Sequence, residues 1–399
     1  MKTIVIVSML IIISLISVVS VGAAADEKVK VIVVYKDKTK YDDNDISFLE
    51  KHGGNIKYKY NIIPGIAMEI PSQALDKIRE NCQNKCYVEL DQEAHLLAKQ
   101  SGRRKPTPTP PPQPPQVVPW GIDRIDADLS WGISKGNGIK IAVVDTGIES
   151  THPDLIANVK GGVRYVSGTA GNYNDDNGHG SHVAGTIAAL NNGIGVVGVA
   201  PNASLYGVKV LNSQGSGWCS DIIAGIDWSN AYRMNIITMS LGGCGIQSVH
   251  DAIIRADNSG IVLVAAAGNS GGSISYPAAY DEVIAVTATD INNYIAVFSS
   301  RGPKAELAAP GVNIYSTYKG GGYATLSGTS MATPHVTGVV ALLLATTIPV
   351  TYDLDGDGKW DPIEVRNKLH ASATDLGDAG RDSLYGYGLV NAYGAVSTP

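Results

Sequence analysis

From Val118 onward the chain repeatedly sets a short apolar run, rich in β-branched residues, against a longer segment with one apolar face. The short runs are Ile139 to Val144, Leu205 to Val210, Ile236 to Ser240, Ile261 to Ala267 and Val283 to Ala288. Between and after them, Val183 to Leu190, Asp221 to Tyr232, Val249 to Asn258 and Val336 to Leu344 read as helices. Runs that do not alternate with polar residues are expected where a strand is covered on both faces, the situation of a parallel sheet between helical layers. Parallel neighbours need crossover connections, and these are right-handed. The expected fold is therefore α/β, three layers around a central parallel sheet. A hydrophobic content of 44% supplies the core that such a sheet needs. Reactive groups in such folds gather beyond the carboxyl ends of the strands. No internal repeat is evident.

The preceding residues divide into three stretches. Met1 to Val21 carries one lysine and then an apolar run from Ile4, followed by Ala23, Ala24 and Ala25 before Asp26. Residues 1–25 thus read as a signal peptide with a small-residue cleavage site, and a retained membrane anchor is the alternative. No later segment is apolar enough to span a bilayer. Residues 26–97 give a strand (Val29 to Tyr35), a helix (Ile46 to His52), two strands about Pro64-Gly65 (Ile56 to Ile70), a helix (Ser72 to Glu80) and a strand (Tyr87 to Leu90). This βαββαβ order is a ferredoxin-like α+β pattern; an unrelated small domain is the alternative. Residues 98–117 form a linker around Pro106 to Pro115, where polyproline II would extend about 3.1 Å per residue. A stiff spacer is the simpler reading and a ligand for a proline-binding partner the other. The body then occupies residues 118–399.

Three segments of the body carry chemistry. Asp145 closes the run Ile139 to Val144. His179 stands between Gly178 and Gly180 at the start of a helical pattern, and Ser330 opens another behind Gly328 and Thr329. An alcohol is a poor nucleophile at neutral pH, so Ser330 needs an imidazole base, and His179 needs a carboxylate to fix its tautomer. A helix start also offers Ser330 a backbone N–H and partial positive charge for a developing oxyanion. Singly, each motif is weak; a Gly-Thr-Ser before a helix is often only an N-cap. His182 and His335, beside the motifs, are read as packing or hydrogen-bonding residues. Jointly, VDTG (144–147), NGHGSHVAG (177–185) and GTSMATPH (328–335), in the order Asp, His, Ser, resemble the subtilisin-like serine proteases, over essentially all of Val118 to Tyr393.

The resemblance implies more. Asn269, after the strand ending at Ala267, would donate its amide to the oxyanion; losing such a donor costs about 2.7–4 kcal/mol, a value itself obtained on a subtilisin. Ser240, Leu241 and Gly242 would pair with an extended substrate, beside Gly268, with Tyr276 and Pro277 as the far wall of the primary pocket. Ser270 and Ser275 would leave that pocket neutral, so broad endopeptidase action after large apolar or aromatic residues is expected. Residues 26–97 resemble the I9-type inhibitor propeptides, whose tail stays in the cleft. On Ala94-His95 the self-cleavage point falls between Leu97 and Ala98; Arg103, Arg104, Lys105 is a rival site for another protease. The direct junction usual in the family is replaced here by the proline-rich linker.

Two calcium sites are expected. Asp353 to Glu364 (DLDGDGKWDPIE) matches the EF-hand loop through Asp353, Asp355, Asp357, the Lys359 carbonyl, Asp361 and bidentate Glu364, with Gly358 at the turn. An acidic turn without metal is the alternative. By resemblance alone, a second ion would be held by Gln116, Asp154, Asn192 and the carbonyls of Leu190, Ile194 and Val196, all hard oxygen donors. Export permits disulfides. Four cysteines allow three connectivities. The resemblance puts Cys219 and Cys244 on opposite walls of the cleft, where a bridge is expected, with two buried thiols as the alternative; Cys82 and Cys86 are left undecided.

A net charge of −6 argues against a nucleic-acid surface without excluding one, and no nucleic-acid partner is expected. The expected partners are polypeptide substrates and the chain's own propeptide, on a secreted monomer. Two other functional classes fit the residues less well. A silent, calcium-dependent binding module would not be expected to keep all three reactive residues, and a small-molecule esterase would more typically carry a G-x-S-x-G elbow in the order Ser, Asp, His.

Overall fold

A computed structural model describes residues 27–36, 40–97, 113–166 and 172–397. The expected signal peptide, Ala98 and most of the linker lie outside the described residues. The N-terminal unit contains β1 (Lys28–Tyr35), α1 (Asp43–Lys51), β2 (Asn55–Lys59), β3 (Gly65–Pro71), α2 (Leu75–Cys82) and β4 (Cys86–Leu90), in the expected βαββαβ order. Its four strands lie in the order β2-β3-β1-β4, and every pair is antiparallel. Helix α1 begins where Asp42 accepts from Asp45 N and Asp45 accepts from Asp42 N, a reciprocal cap. Alternation along β1 gives the sheet two different faces. Val31 and Val33 pack with Leu49 and Ile78 of the two helices, whereas Ile32 and Val34 join Tyr60, Ile62 and Ile63 in a core shared with the body.

The chain continues through β5 (Glu93–Leu96) into the body: α3 (Trp120–Arg124), α4 (Ala127–Ser130), β6 (Lys140–Asp145), β7 (Val159–Arg164), α5 (His179–Ala188), β8 (Ser204–Lys209), β9 (Ser216–Trp218), α6 (Cys219–Ala231), β10 (Ile236–Met239), β11 (Leu241–Gly242), α7 (Gln247–Asp257) and β12 (Val262–Ala266). There follow β13 (Val283–Thr289), β14 (Leu307–Pro310), the antiparallel hairpin β15 (Ile314–Tyr318) and β16 (Gly322–Leu326), α8 (Thr329–Leu344), α9 (Pro362–Ser372) and α10 (Ala392–Ser397). Seven strands form one parallel sheet, ordered β14-β13-β12-β10-β6-β8-β7. Ile141 and Val143 of β6 face α5 and α8; Ala142 and Val144 face α6 and α7. The three-layer α/β architecture stands as the apolar runs require. Asp145 ends β6, which has β8 and β7 on one side and β10, β12, β13 and β14 on the other, so the chain switches sides of the sheet there, the place where such sheets open a crevice.

Several elements lacked a periodic signal. In β7 a Cβ at Gly162 would collide with the Gly207 carbonyl, so the edge strand carries glycines where a hydrophobic pattern would otherwise mark it. Strand β9 is three residues long and the hairpin β15–β16 alternates poorly. The linker also ends earlier than its composition suggests. Pro115 bridges to Ile194 and Val117 to Val196, and Gly195 N donates to Pro114 O at 2.8 Å, so residues 113–117 pack on the body.

Candidate active site

Asp145 is fully buried, and His179 Nδ1 lies 2.8 Å from its Oδ1 and 3.0 Å from its Oδ2. A carboxylate only accepts, so the imidazole presents Nδ1–H to it and leaves Nε2 as the basic atom. Nε2 is buried and has no hydrogen-bond partner. The helix start that carries His179 needs Gly178 at φ 111°, where a Cβ would run into the Tyr318 ring. Buried Asp175, which sequence reasoning passed over, ties the two loops together. It accepts from Thr146 Oγ1 (2.9 Å), Gly178 N (2.8 Å) and Ser181 N (2.9 Å), joining the end of β6 to the start of α5. His182 donates Nε2–H to Ile314 O at 3.0 Å; burial, then the neighbouring His179, push its pKa down to about 3. His335 donates to Met331 O at 2.9 Å, and burial pushes it down to about 4. Both imidazoles are neutral, hydrogen-bonded core residues.

Ser330 is in the first turn of α8 and buried. Its Oγ donates to Ser240 O at 3.1 Å, and Ser240 Oγ donates to Ser330 O at 3.1 Å. The hydroxyl is thus bonded to β10's end and not to His179 Nε2. Asn269 is held in one orientation, because its Oδ1 accepts from both Thr329 N and Thr329 Oγ1 at 2.9 Å. With the oxygen occupied, the Nδ2 hydrogens are the ones left for a ligand. Thr329 Oγ1 also accepts from Gly268 N at 3.1 Å. Nothing in the motif as a string announces this second task of Thr329.

The cleft contains the chain's own tail. Strand β5 is the middle of a three-stranded sheet, antiparallel to β11 on one side and to β9 on the other. Leu96 pairs with Leu241, His95 with Gly242 and Ala94 with Gly217. Leu241 and Gly242, just after Ser240, therefore flank β5 on one side; Ser216 and Gly217 flank it on the other, which the sequence marks only by the glycines around it. Leu97 packs against Gly242 and, with Leu96, borders a cavity of about 300 Å³ lined by Gly268, Asn269, Ser270, Ser275 and Ser300. Tyr276 stands aside from this lining. Its ring sits by Gly245 and 4.5 Å from the Tyr280 ring, in a neighbouring cavity of about 330 Å³, with Pro277 following in the same loop. Ser300, bonded to Ser270 at 3.2 Å, takes a place at the pocket that no motif predicted.

The profile of the subtilase family matches residues 136–388. The chain belongs to the subtilase family. A second profile, the Tk-SP N-propeptide domain, matches residues 22–74. M-protease of Shouchella clausii (strain KSM-K16) is 44% identical over 343 residues, 85% of this chain and 81% of that protein. Subtilisin Savinase of Lederbergia lenta is 49% identical over 285 residues, 70% of this chain and 99% of its own length. Subtilisin E of Bacillus subtilis (strain 168) is 42% identical over 356 residues, 87% and 84% of the two chains. This subtilase is a serine endopeptidase made with a propeptide. Among the described residues no helix is long and apolar enough to cross a membrane.

The subtilase has two disulfides, Cys219–Cys244 and also Cys82–Cys86, the pair that the sequence left undecided. The residues expected to hold calcium meet in two places. Asp154 is fully buried, its Oδ2 accepts from Val196 N at 2.9 Å, and its Oδ1 has no partner. Burial pushes this carboxyl up to about 6, the mark of a charge without a counter-ion. Gln116 and Asn192 are adjacent, but their oxygens are turned to backbone: Gln116 Oε1 accepts from Asn192 N and Gly193 N at 2.8 Å, and Asn192 Oδ1 from Ile194 N at 3.1 Å. The orphaned carboxylate oxygen fits a cation; the side-chain amides would have to turn to join it. In the second place, Asp353, Asp355 and Glu364 bring carboxylate oxygens within 4.8 Å of one another. Asp361 caps α9 through Ile363 N and Glu364 N, and Asp357 accepts from Lys359 N at 2.8 Å. Helix α8 ends at Leu344, so the loop has an exiting helix but no helix entering directly.

Proposed function

We propose that this subtilase is a secreted, calcium-stabilised endopeptidase of broad specificity that cuts after apolar or aromatic residues and processes itself between Leu97 and Ala98. Ser330 is the nucleophile, His179 the base, Asp145 the orienting carboxylate, and Asn269 Nδ2 with the Ser330 N–H the oxyanion donors. A substrate strand enters between β11 and β9. The Ser330 hydroxyl leaves Ser240 O for His179 Nε2, its oxygen bonds to the carbonyl carbon, and its proton passes to Nε2. His179 returns that proton to the leaving amine, and water then hydrolyses the acyl ester by the same route in reverse. Asp145 holds the Nδ1 hydrogen throughout, which keeps the basic nitrogen toward the serine.

The reading is carried by one observation: the segment Glu93–Leu96 lies as a third strand between the cleft walls, with Leu97 against the cavity that Asn269 lines. Such a placement supports reading the bond after Leu97 as the one cut. The neutral serines around Leu97 support an apolar preference. Calcium would be held by Asp154 with the Leu190–Val196 loop and Gln116, and by Asp353, Asp355 and Glu364 with Asp357, Asp361 and the Lys359 carbonyl. Bound there, it would neutralise buried or crowded carboxylates and so stabilise the folded chain.

Incubating the purified precursor with and without Ca²⁺, while following its size and its peptidase activity, tests the reading. The expected result is a calcium-dependent cut with activity appearing afterwards and a mature chain starting at Ala98. A start before Asp91 or after Pro119 overturns the processing site, and a rate indifferent to chelation overturns the metal's role. Asn269→Ala should lose roughly 10²–10³ in kcat with little change in KM.

A further inference from the structure

We propose that the Cys219–Cys244 disulfide is a specificity-determining element, limiting the residue fourth before the scissile bond to small side chains. The proposal rests on the reading above that Leu97 precedes the cut, which makes Ala94 the fourth residue. Side chains of β5 alternate: His95 points outward and is exposed, whereas Ala94 is wholly buried. Ala94 lies in the same apolar cluster as Leu211, Cys219, Ile222, Leu241 and Cys244, all fully buried. By contrast, Leu97 borders the 300 Å³ cavity.

The walls explain the difference. Strands β9 and β11 flank β5 and are both antiparallel to it, so they stand two strand spacings apart, roughly 10 Å. Cys219 follows β9 at once, and its N–H donates to Gln92 O at 2.8 Å; Cys244 is two residues past β11. Their Cα atoms are only 5.6 Å apart. The walls therefore converge at Ala94, and a covalent bond keeps them from parting. On the other side, a Cβ at Gly243 would sit 2.6 Å from Glu93 O, so this loop already touches the bound strand. A larger side chain in place of Ala94 has to displace packed, covalently tied residues.

The test compares internally quenched peptides that differ only at the fourth position (Gly, Ala, Leu, Phe) with Leu before the cut. The enzyme is the processed form of the full chain, disulfide intact, and each product is mapped by mass. Ala over Phe in kcat/KM should be roughly tenfold or more. Cys219→Ser/Cys244→Ser, and separately the reduced and alkylated wild type, should bring that ratio to about threefold or less, by gaining on Phe rather than losing on Ala. A ratio near one with the bond intact overturns the proposal, as does a ratio unmoved when the bond is removed in a form whose circular dichroism remains native. Should the serine variant not fold, the reduced wild type alone decides. Cleavage mapped to another bond instead overturns the processing-site reading, because Ala94 is then not the fourth residue.

Discussion

In the N-terminal sheet one face is closed by the protein's own two helices and the other rests on the body, whereas the seven-stranded sheet is covered by its own helices on both faces. The propeptide is therefore complete only as part of the complex, and the body is complete without it. The joint between them is electrostatic as well as apolar. Glu89 accepts from Gln247 N and Ser248 N at the start of α7, and Asp91 from Ser220 N at the start of α6. These are the positions where a helix has unpaired N–H groups and partial positive charge. Asp221 of the body receives Lys57 Nζ at 2.7 Å and Tyr58 OH at 2.6 Å in return. The propeptide thus caps two helices whose N-cap residues, Trp218 and Ile246, give no side-chain cap, α6 having of its own only Asp221 Oδ2 on Trp218 N at 3.3 Å. When it departs, water replaces them.

The largest expected effect comes from keeping the two regions covalently joined. Ser330→Ala should lower kcat on the order of a million-fold, a magnitude itself measured on a subtilisin, and leave the precursor as a single band on a gel. A precursor still cut at Leu97 by its own molecule would break the account of the joint. Next come the staples. Removing Cys219–Cys244, which spans 25 residues, should cost about 3.5 kcal/mol in urea unfolding, while removing Cys82–Cys86, which spans 4, should cost about 1.9 kcal/mol. The reverse order would show that strain or the unfolded state outweighs loop length.

A third comparison uses pH within the body. Burial pushes the Glu306 carboxyl up, but hydrogen bonds from His370 (2.9 Å) and Arg366 (2.6 and 2.8 Å) more than offset this and hold it below the usual range. A carboxylate depressed in the folded state contributes stability above its unfolded pKa, and that contribution fades as pH falls through the folded value. Glu306→Gln should lower stability near neutrality by about 1–3 kcal/mol and flatten the acid side of the Tm profile. An unchanged acid limb would remove this group from the account. The smallest effects belong to the caps: Glu89→Gln and Asp91→Asn should each loosen the propeptide by about 1 kcal/mol, shortening the lag before activity appears. Equal lags in all three proteins would mean that the apolar face alone holds the complex.

Much of the body was legible because its strands are apolar on both faces. Val283 to Ala288 was expected and Val283–Thr289 is found; Ile236 to Ser240 was expected and Ile236–Met239 is found. The strands that escaped, β5, β7, β9, β14 and the hairpin, are short or lie at the edge of a sheet, where residues answer to neighbours and not to a buried period. The acidic cluster of Asp353, Asp355 and Glu364 was legible for the opposite reason, since its carboxylates come from twelve consecutive residues. The helix before it was legible too, since its apolar run stops at Leu344, well short of the loop, and α8 ends there. The direction of the Tyr276 ring, toward Gly245 and Tyr280, was not legible, because a resemblance transfers a segment but not the orientation of a side chain.

The sequence by itself determined the chemistry of the groups and where each is mounted. Apolar runs end at Asp145 and before Asn269, and glycine-flanked helix starts carry His179 and Ser330, all of which follow from local conformational preference and strand burial. Only the tertiary structure decided that His179 gives Nδ1 to Asp145, that the Ser330 hydroxyl turns to Ser240 O, that Asp154 has one oxygen with nothing to bond, and that the cleft closes over Ala94. Each of these depends on where segments distant in the chain meet and how their side chains are turned, and no periodicity or spacing encodes that.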